Sequence, residues 1–183
     1  TKMKTVEADV LFGATYVEDA MHLARALGDS KRANRAAMVA LTVGPGLAEF
    51  GQIIGEERAD GIVGVVQWLR SVRLPMAQDF AYRYRQRFGY NPGVHAAIGY
   101  STGQVIEAAV RLAGSTDKDA VRSQLATMEF RSLLGHYKVD ATGRQLGKTN
   151  YLLQWQGGSR KPVGPPEIAG RAVGTPRATN TGE

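Results

Sequence analysis

The sequence contains no cysteine, which excludes a disulfide framework, a thiol nucleophile and a cysteine-ligated metal site. That absence suits a reducing and an oxidising compartment equally. Long hydrophobic runs are also missing: the apolar stretches, such as residues 62–68, are interrupted or far shorter than the roughly 20 residues a bilayer span requires. The sequence therefore predicts no membrane-spanning segment. Residues 1–7 carry neither an apolar signal core nor a small-residue cleavage site, so a targeting segment is expected to have been removed or never included. Catalytic signatures are absent too, with no phosphate-cradling glycine loop, no Gly-x-Ser-x-Gly elbow and no His-Glu-x-x-His pair. The three histidines, His22, His95 and His136, fall on three expected elements without ligand spacing. No metal site, no cofactor and no enzymatic activity are expected.

What is present is an ordinary globular composition. The 183 residues are 43% apolar and 22% charged, enough for one domain or two small lobes. The 23 Lys and Arg exceed the 17 Asp and Glu, a balance that invites a polyanionic partner. The charge is spread along the chain, however. Arg83, Arg85 and Arg87 step by two on an expected helix, which distributes them around its circumference instead of along one groove. No nucleic-acid partner is expected.

Hydrophobic patterning divides the chain into alternating strands and helices. Residues 8–13 form an apolar run closed by glycine, followed by Thr15 and Glu18 in a capping-box pattern. A helix over residues 17–27 follows, with Ala20, Met21, Ala24 and Leu27 on one face and Gly28 as its stop. After a basic connector at residues 31–35, residues 37–43 form a second run, punctuated by Gly44, Pro45 and Gly46. A helical face of Leu47, Phe50 and Ile54 leads to a third run at residues 62–68. Three strands joined by helices imply parallel crossovers in a helix-covered sheet.

Residues 69–75 lack periodicity and read as a connector. Helices are expected at 76–88, at 94–113 and from 116 to about 126. Gly99 and Gly103 lie four apart on one face of the long helix and predict close approach of another backbone or a ligand. Strands are expected at 136–139 and 149–156, paired as a hairpin around the turn-rich residues 140–144. Residues 165–183 are proline-rich and expected to be an extended or mobile tail.

Open α/β sheets hold ligands at the carboxyl ends of their strands. Tyr16 falls at such an end, either to contact a ligand or to pack as a turn aromatic on a neighbouring loop. Gly44 and Pro45 occupy the same edge after the second run, and Trp68 ends the third. His95 sits in the first turn of the long helix, where its imidazole either bonds a ligand carboxylate or the local backbone.

Together these residues resemble a known family. Residues 8–20 (ADVLFGATYVEDA), 61–68 (GIVGVVQW), 91–100 (NPGVHAAIGY), 104–109 (QVIEAA), 135–140 (GHYKVD) and 153–157 (LQWQG) are similar, in order, to the second half of type I periplasmic binding proteins of the branched-chain amino acid (Leu/Ile/Val) class. The resemblance implies an α/β fold: a three-layer parallel-sheet lobe plus helices of a second lobe, in a chain that is a fragment of the whole. It implies a C-terminal-lobe segment at 7–68, a hinge connector at 69–75 and a second-lobe helical segment at 76–139. A hinge crossing with a returning strand at 140–164 and the tail at 165–183 complete it.

The implied function is the solute-binding component of an ABC importer in the periplasm, with a membrane permease as partner. It would capture a small polar ligand between two lobes. The alternative is a ligand-sensing regulatory domain of the same fold acting on a partner protein. By position, Tyr16 resembles the C-lobe aromatic that contacts the ligand, and His95 a side chain facing it from the other lobe. The loop at 43–46 resembles one that supplies an acidic partner for an amino acid's ammonium, yet no carboxylate precedes Glu49. That departure leaves amides and aromatic or aliphatic acids open as ligands. The resemblance also implies a missing first half, and hence association with a complementary chain, self-association or a rearranged fold.

Overall fold

Short β-branched runs closed by glycine or a bend generate the leading strands. The computed structural model describes residues 8–28, 38–72, 74–169 and 174. Its strands are β1 (Val10–Gly13), β2 (Met38–Leu41), β3 (Ile62–Val66), β4 (Phe130–Ser132), β5 (Gly135–Tyr137), β6 (Tyr151–Gln156) and β7 (Ser159–Gly164). Its helices are α1 (Val17–Gly28), α2 (Phe50–Ile54), α3 (Glu56–Ala59), α4 (Ala77–Phe88), α5 (Val94–Ala113) and α6 (Lys118–Thr127). Two compact units divide the chain: residues 1–66 with 151–183, and residues 67–150.

The first unit is a five-stranded sheet in the order β1-β2-β3-β6-β7. The leading three strands run parallel, with Val10 opposite Met38 and Val39 opposite Ile62. α1 buries Ala20, Ala24 and Leu27 at the three-to-four spacing visible in the sequence. The helix expected over 47–54 begins only at Phe50, and Gly55 at φ 93° separates it from α3. The expected basic connector at 31–35 lies outside the described residues, as does most of the expected tail.

β6 and β7 add to the sheet antiparallel, with Val66 opposite Tyr151 and Gln156 opposite Ser159. The expected hairpin between 136–139 and 149–156 is not formed. β6 buries Tyr151, Leu153 and Trp155 on one face and Gln154 on the other, where Leu152 stays exposed, and it finds partners on both edges in β3 and β7. β7, unanticipated for want of apolar alternation, follows from Gly157 and Gly158, both at positive φ as a two-residue hairpin turn requires. Its Pro162 is tolerated because β7 is an edge strand.

Trp155 is the hub of this unit. Its ring centroid lies 6.1 Å from that of Phe50, and a Cβ on Gly51 would come within 2.4 Å of the indole. Its carbonyl accepts from Gly61 N at 2.8 Å, and its Nε1 donates to the Pro45 carbonyl at 2.9 Å.

The second unit is helical, with a small β4–β5 hairpin. Trp68, Ala77, Phe80, Ala97, Leu133 and Leu134 form its core. The hairpin is pinned to α5 by Ser101 Oγ, which donates to Ser132 Oγ at 2.8 Å, and by Leu133 N, which donates to Gln104 Oε1 at 2.8 Å. Asp117 caps α6, accepting from the amides of Asp119 and Ala120. The turn at 140–144 closes on itself: Asp140 Oδ1 accepts from Thr142 N, Thr142 Oγ1 and Arg144 N. These bonds hold the Asp140 carboxyl below its ordinary pKa, the Thr142 hydroxyl contributing most.

Among the described residues nothing approaches Gly99 or Gly103: both are exposed, and a Cβ at either would meet nothing within 4 Å. Alanine there restricts the unfolded backbone at no steric cost. Gly103→Ala is expected to raise the stability of the 183-residue chain by about 0.5–1 kcal/mol in urea denaturation. A loss of stability would mean that another surface covers this face.

Candidate functional site

The candidate site begins where β1 and β2 end side by side. Thr15 N donates to Thr42 Oγ1 at 2.8 Å, and that hydroxyl donates back to the Thr15 carbonyl at 2.8 Å. Thr15 Oγ1 donates to the Val43 carbonyl at 3.2 Å, and Thr42 N to the Gly13 carbonyl at 3.1 Å. Thr15 thus fastens two loops together, in place of the expected capping box at the start of α1. The local motif yields because the neighbouring strand end supplies acceptors at the same height.

These bonds place Tyr16 and the bend at 43–46 on one edge of the sheet, at the carboxyl ends of adjacent parallel strands. Tyr16 is 79% exposed, its carbonyl accepting from Ala20 N while its ring stands free of the core. Gly44 adopts φ 110°, and a Cβ there would lie 2.6 Å from that of Ala20. Pro45 is fully buried, packed so closely on Gly64 that a Cβ at 64 would lie 2.6 Å from the proline's own. Its carbonyl and that of Gly46 accept from Trp155 Nε1 and Arg160 Nη1. Gly44 and Pro45 therefore act by shaping a rigid bend; the exposed aromatic beside it is Tyr16.

Trp68 and His95 belong to the second unit. β3 ends at Val66, so Trp68 lies beyond the strand it was expected to close. It is 3% exposed and packs edge-on against Phe80, with ring centroids 5.9 Å apart. Among the described residues its buried Nε1 has no hydrogen-bond partner. His95 is exposed at the second position of α5, and its neighbours Val94 and Ala96 pack on the cluster that holds Trp68. Tyr16, Gly44 and Pro45 are thus brought together in one unit; in the other, Trp68 lies within the core, against the expectation of a ligand-facing side chain, and His95 is exposed beside it.

Two cations escaped the sequence reading. Arg160 is half-buried against the Gly46 carbonyl, and burial pushes its pKa down, opposed in part by Glu49. Lys148 Nζ donates to Gln67 Oε1 at 2.9 Å, and burial pushes it down as well. Neither has a local motif; only the distant partner marks it. Among the described residues no cluster of three His, Cys, Asp or Glu could hold a metal ion.

Strand ends carrying an exposed aromatic beside a glycine bend have the arrangement by which open α/β folds hold small molecules. The chain belongs to the periplasmic binding protein family, whose model matches residues 1–160. A crystal structure of a periplasmic binding protein from Burkholderia mallei is similar to it with a TM-score of 0.72 at 22% identity, covering 97% of this chain and 49% of that one. The branched-chain amino acid transporter substrate binding protein LivJ from Streptococcus pneumoniae, in complex with isoleucine, matches with a TM-score of 0.70 at 24% identity over 90% of this chain and 47% of that one. An ABC transporter solute binding protein from R. palustris, in complex with benzoate, gives 0.62 at 20% identity over 89% and 46%. The chain therefore spans about half the length of each of these three proteins. No helix of the described residues is long and apolar enough to cross a membrane.

Gly44→Ala would place a side chain at a left-handed φ and against Ala20, and is expected to lower stability by about 1–3 kcal/mol in urea denaturation. Lys138 Nζ bonds Glu129 at 2.6 Å and holds that carboxyl below its ordinary pKa, with His136 adding a smaller pull. The folded chain then binds fewer protons than the unfolded one, so this contact stabilises above the unfolded pKa and is lost as pH falls through the lower folded value. Carboxyl-carbon NMR titration should show the Glu129 midpoint return upward in Lys138→Met.

Proposed function

We propose that this chain carries part of the ligand site of the solute-binding component of an ABC importer, acting in the periplasm with a membrane permease and without catalysis. In this reading a small polar molecule is captured between two lobes of the whole protein: Tyr16 and the bend at Gly44 and Pro45 serve the wall of one and His95 that of the other, while Trp68, expected at the ligand, is buried in the core beneath the start of α5 and supports His95 from behind. The observation that carries the reading is Tyr16, a large aromatic left free of the core beside a fixed bend at the carboxyl edge of parallel strands. An aromatic ring exposed to water at a ligand-holding edge gains most by covering a ligand.

The ligand class is an amino acid, an amide or a small organic acid. Relatives in complex with isoleucine and with benzoate are both compatible with it. The bend has no carboxylate before Glu49, which favours ligands without an ammonium group. Self-association or pairing with a complementary chain would cover apolar side chains exposed at separate points around α5, among them Tyr100, Ile106 and Leu112.

Calorimetric titration of the 183-residue chain with isoleucine, its amide and benzoate tests the reading. At least one should bind, and Tyr16→Ala should weaken it about tenfold, the loss of about 1.4 kcal/mol of contact. Binding unchanged in both Tyr16→Ala and His95→Ala, or no binding by any of the three, would overturn it.

A further inference from the structure

The second unit contains a cavity of about 310 Å³ between α5, the end of α6, the β4–β5 hairpin and residues 145–148. Its apolar wall comes from Ile98 and Val105 on α5, Leu125 on α6 and Leu134 in the hairpin. Most polar groups around it are satisfied by one another. Ser101 bonds Ser132, which donates to the Gly135 carbonyl. The Tyr137 hydroxyl donates to the Leu125 carbonyl, and Gln145 Oε1 accepts from the amides of Lys138 and Gly147. His136 faces Glu129 at 3.2 Å, and Glu129 is also taken by Lys138.

Lys148 differs. The residue is half-buried and lines the cavity, and the one described partner of its ammonium is the uncharged amide oxygen of Gln67. Among the described residues no carboxylate lies within ion-pair distance of it. An ammonium has three protons to donate, so bonding capacity remains. A partly desolvated cation without a counter-charge is costly, and an anion brought beside it recovers that cost.

We propose that this cavity binds a short monocarboxylate with a branched aliphatic or aromatic tail, the carboxylate on Lys148 Nζ and the tail among Ile98, Val105, Leu125 and Leu134. The volume is at the small end of ligand pockets, which limits the tail to a few carbons or one ring. An α-amino acid is disfavoured here, because the nearby carboxylate, Glu129, is already shared by Lys138 and His136 and leaves nothing for a second ammonium. The site uses none of Tyr16, Gly44, Pro45, Trp68 or His95, so it stands or falls apart from the function proposed above.

The test is methyl-resolved NMR titration of the 183-residue chain with 3-methylbutanoate and, as its uncharged match, 3-methylbutanamide. The acid should shift the methyls of Ile98, Leu125 and Leu134 saturably, and the amide should bind about tenfold more weakly. Lys148→Met should weaken the acid about tenfold and leave the amide unchanged, while Lys148→Arg retains acid binding. Thr102→Phe, at an exposed position on the cavity's lining, should exclude both probes. Equal affinity for acid and amide, no shifts up to about 10 mM, or acid binding untouched by Lys148→Met would overturn the proposal. If Lys148→Met fails to fold, the acid-to-amide ratio and Thr102→Phe decide. Tyr16→Ala must leave these shifts intact; their loss in that variant would place the ligand elsewhere and sink the cavity, whatever becomes of the Tyr16 site.

Discussion

One indole fixes the geometry on which the candidate site depends. Trp155 reaches across the first unit to hold the Pro45 carbonyl, and it fits there only because Gly51 has no side chain to obstruct the ring. The bend at 43–46 is thereby tied to a strand 110 residues further on. Arg160, one turn of hairpin away, takes the next carbonyl of the same bend. A buried and a half-buried donor thus satisfy two buried carbonyls, and the loop beside Tyr16 becomes a fixed wall in consequence.

The same economy of hydrogen bonds governs the other buried polar groups. Gln154 lies within a central strand, yet its amide donates to the carbonyls of Gly61 and Gly174 and its oxygen accepts from Gly174 N. Thr15 and Thr42 satisfy each other across two strand ends. Among the described residues Trp68 breaks this pattern, with a buried Nε1 lacking a partner, and Lys148 breaks it by carrying charge against a neutral amide. A protein interior tolerates few such exceptions, and here one lies in the core beneath the start of α5 and the other on the proposed carboxylate cavity.

Much of the architecture was legible because its signals are local. Strand runs ending in glycine, the three-to-four spacing of Ala20, Ala24 and Leu27, and the helix from Val94 to Gly114 all depend on residues within one or two turns of each other. The positions of Tyr16, Gly44 and Pro45 on one edge follow from parallel pairing, which the alternation of strands and helices already demands. The expected hairpin failed for the opposite reason. Alternation cannot distinguish which of two edges a strand will pair with, and β6 chose β3 and β7 over the nearer residues 136–139. Trp68 was legible as an aromatic after a strand, but its burial depends on Phe80, Leu133 and Leu134, which no spacing connects to it.

By itself the sequence determined the first helix and the three later ones, the parallel order of the leading strands and the break at residues 44–46, because backbone sterics and amphipathic period act over a few residues. Tertiary structure alone decided where β6 inserts, that Thr15 fastens two loops instead of capping a helix, and that Lys148 meets Gln67. Each of these rests on contacts between residues far apart in the chain. Local chemistry offers several acceptable partners, and only packing chooses among them.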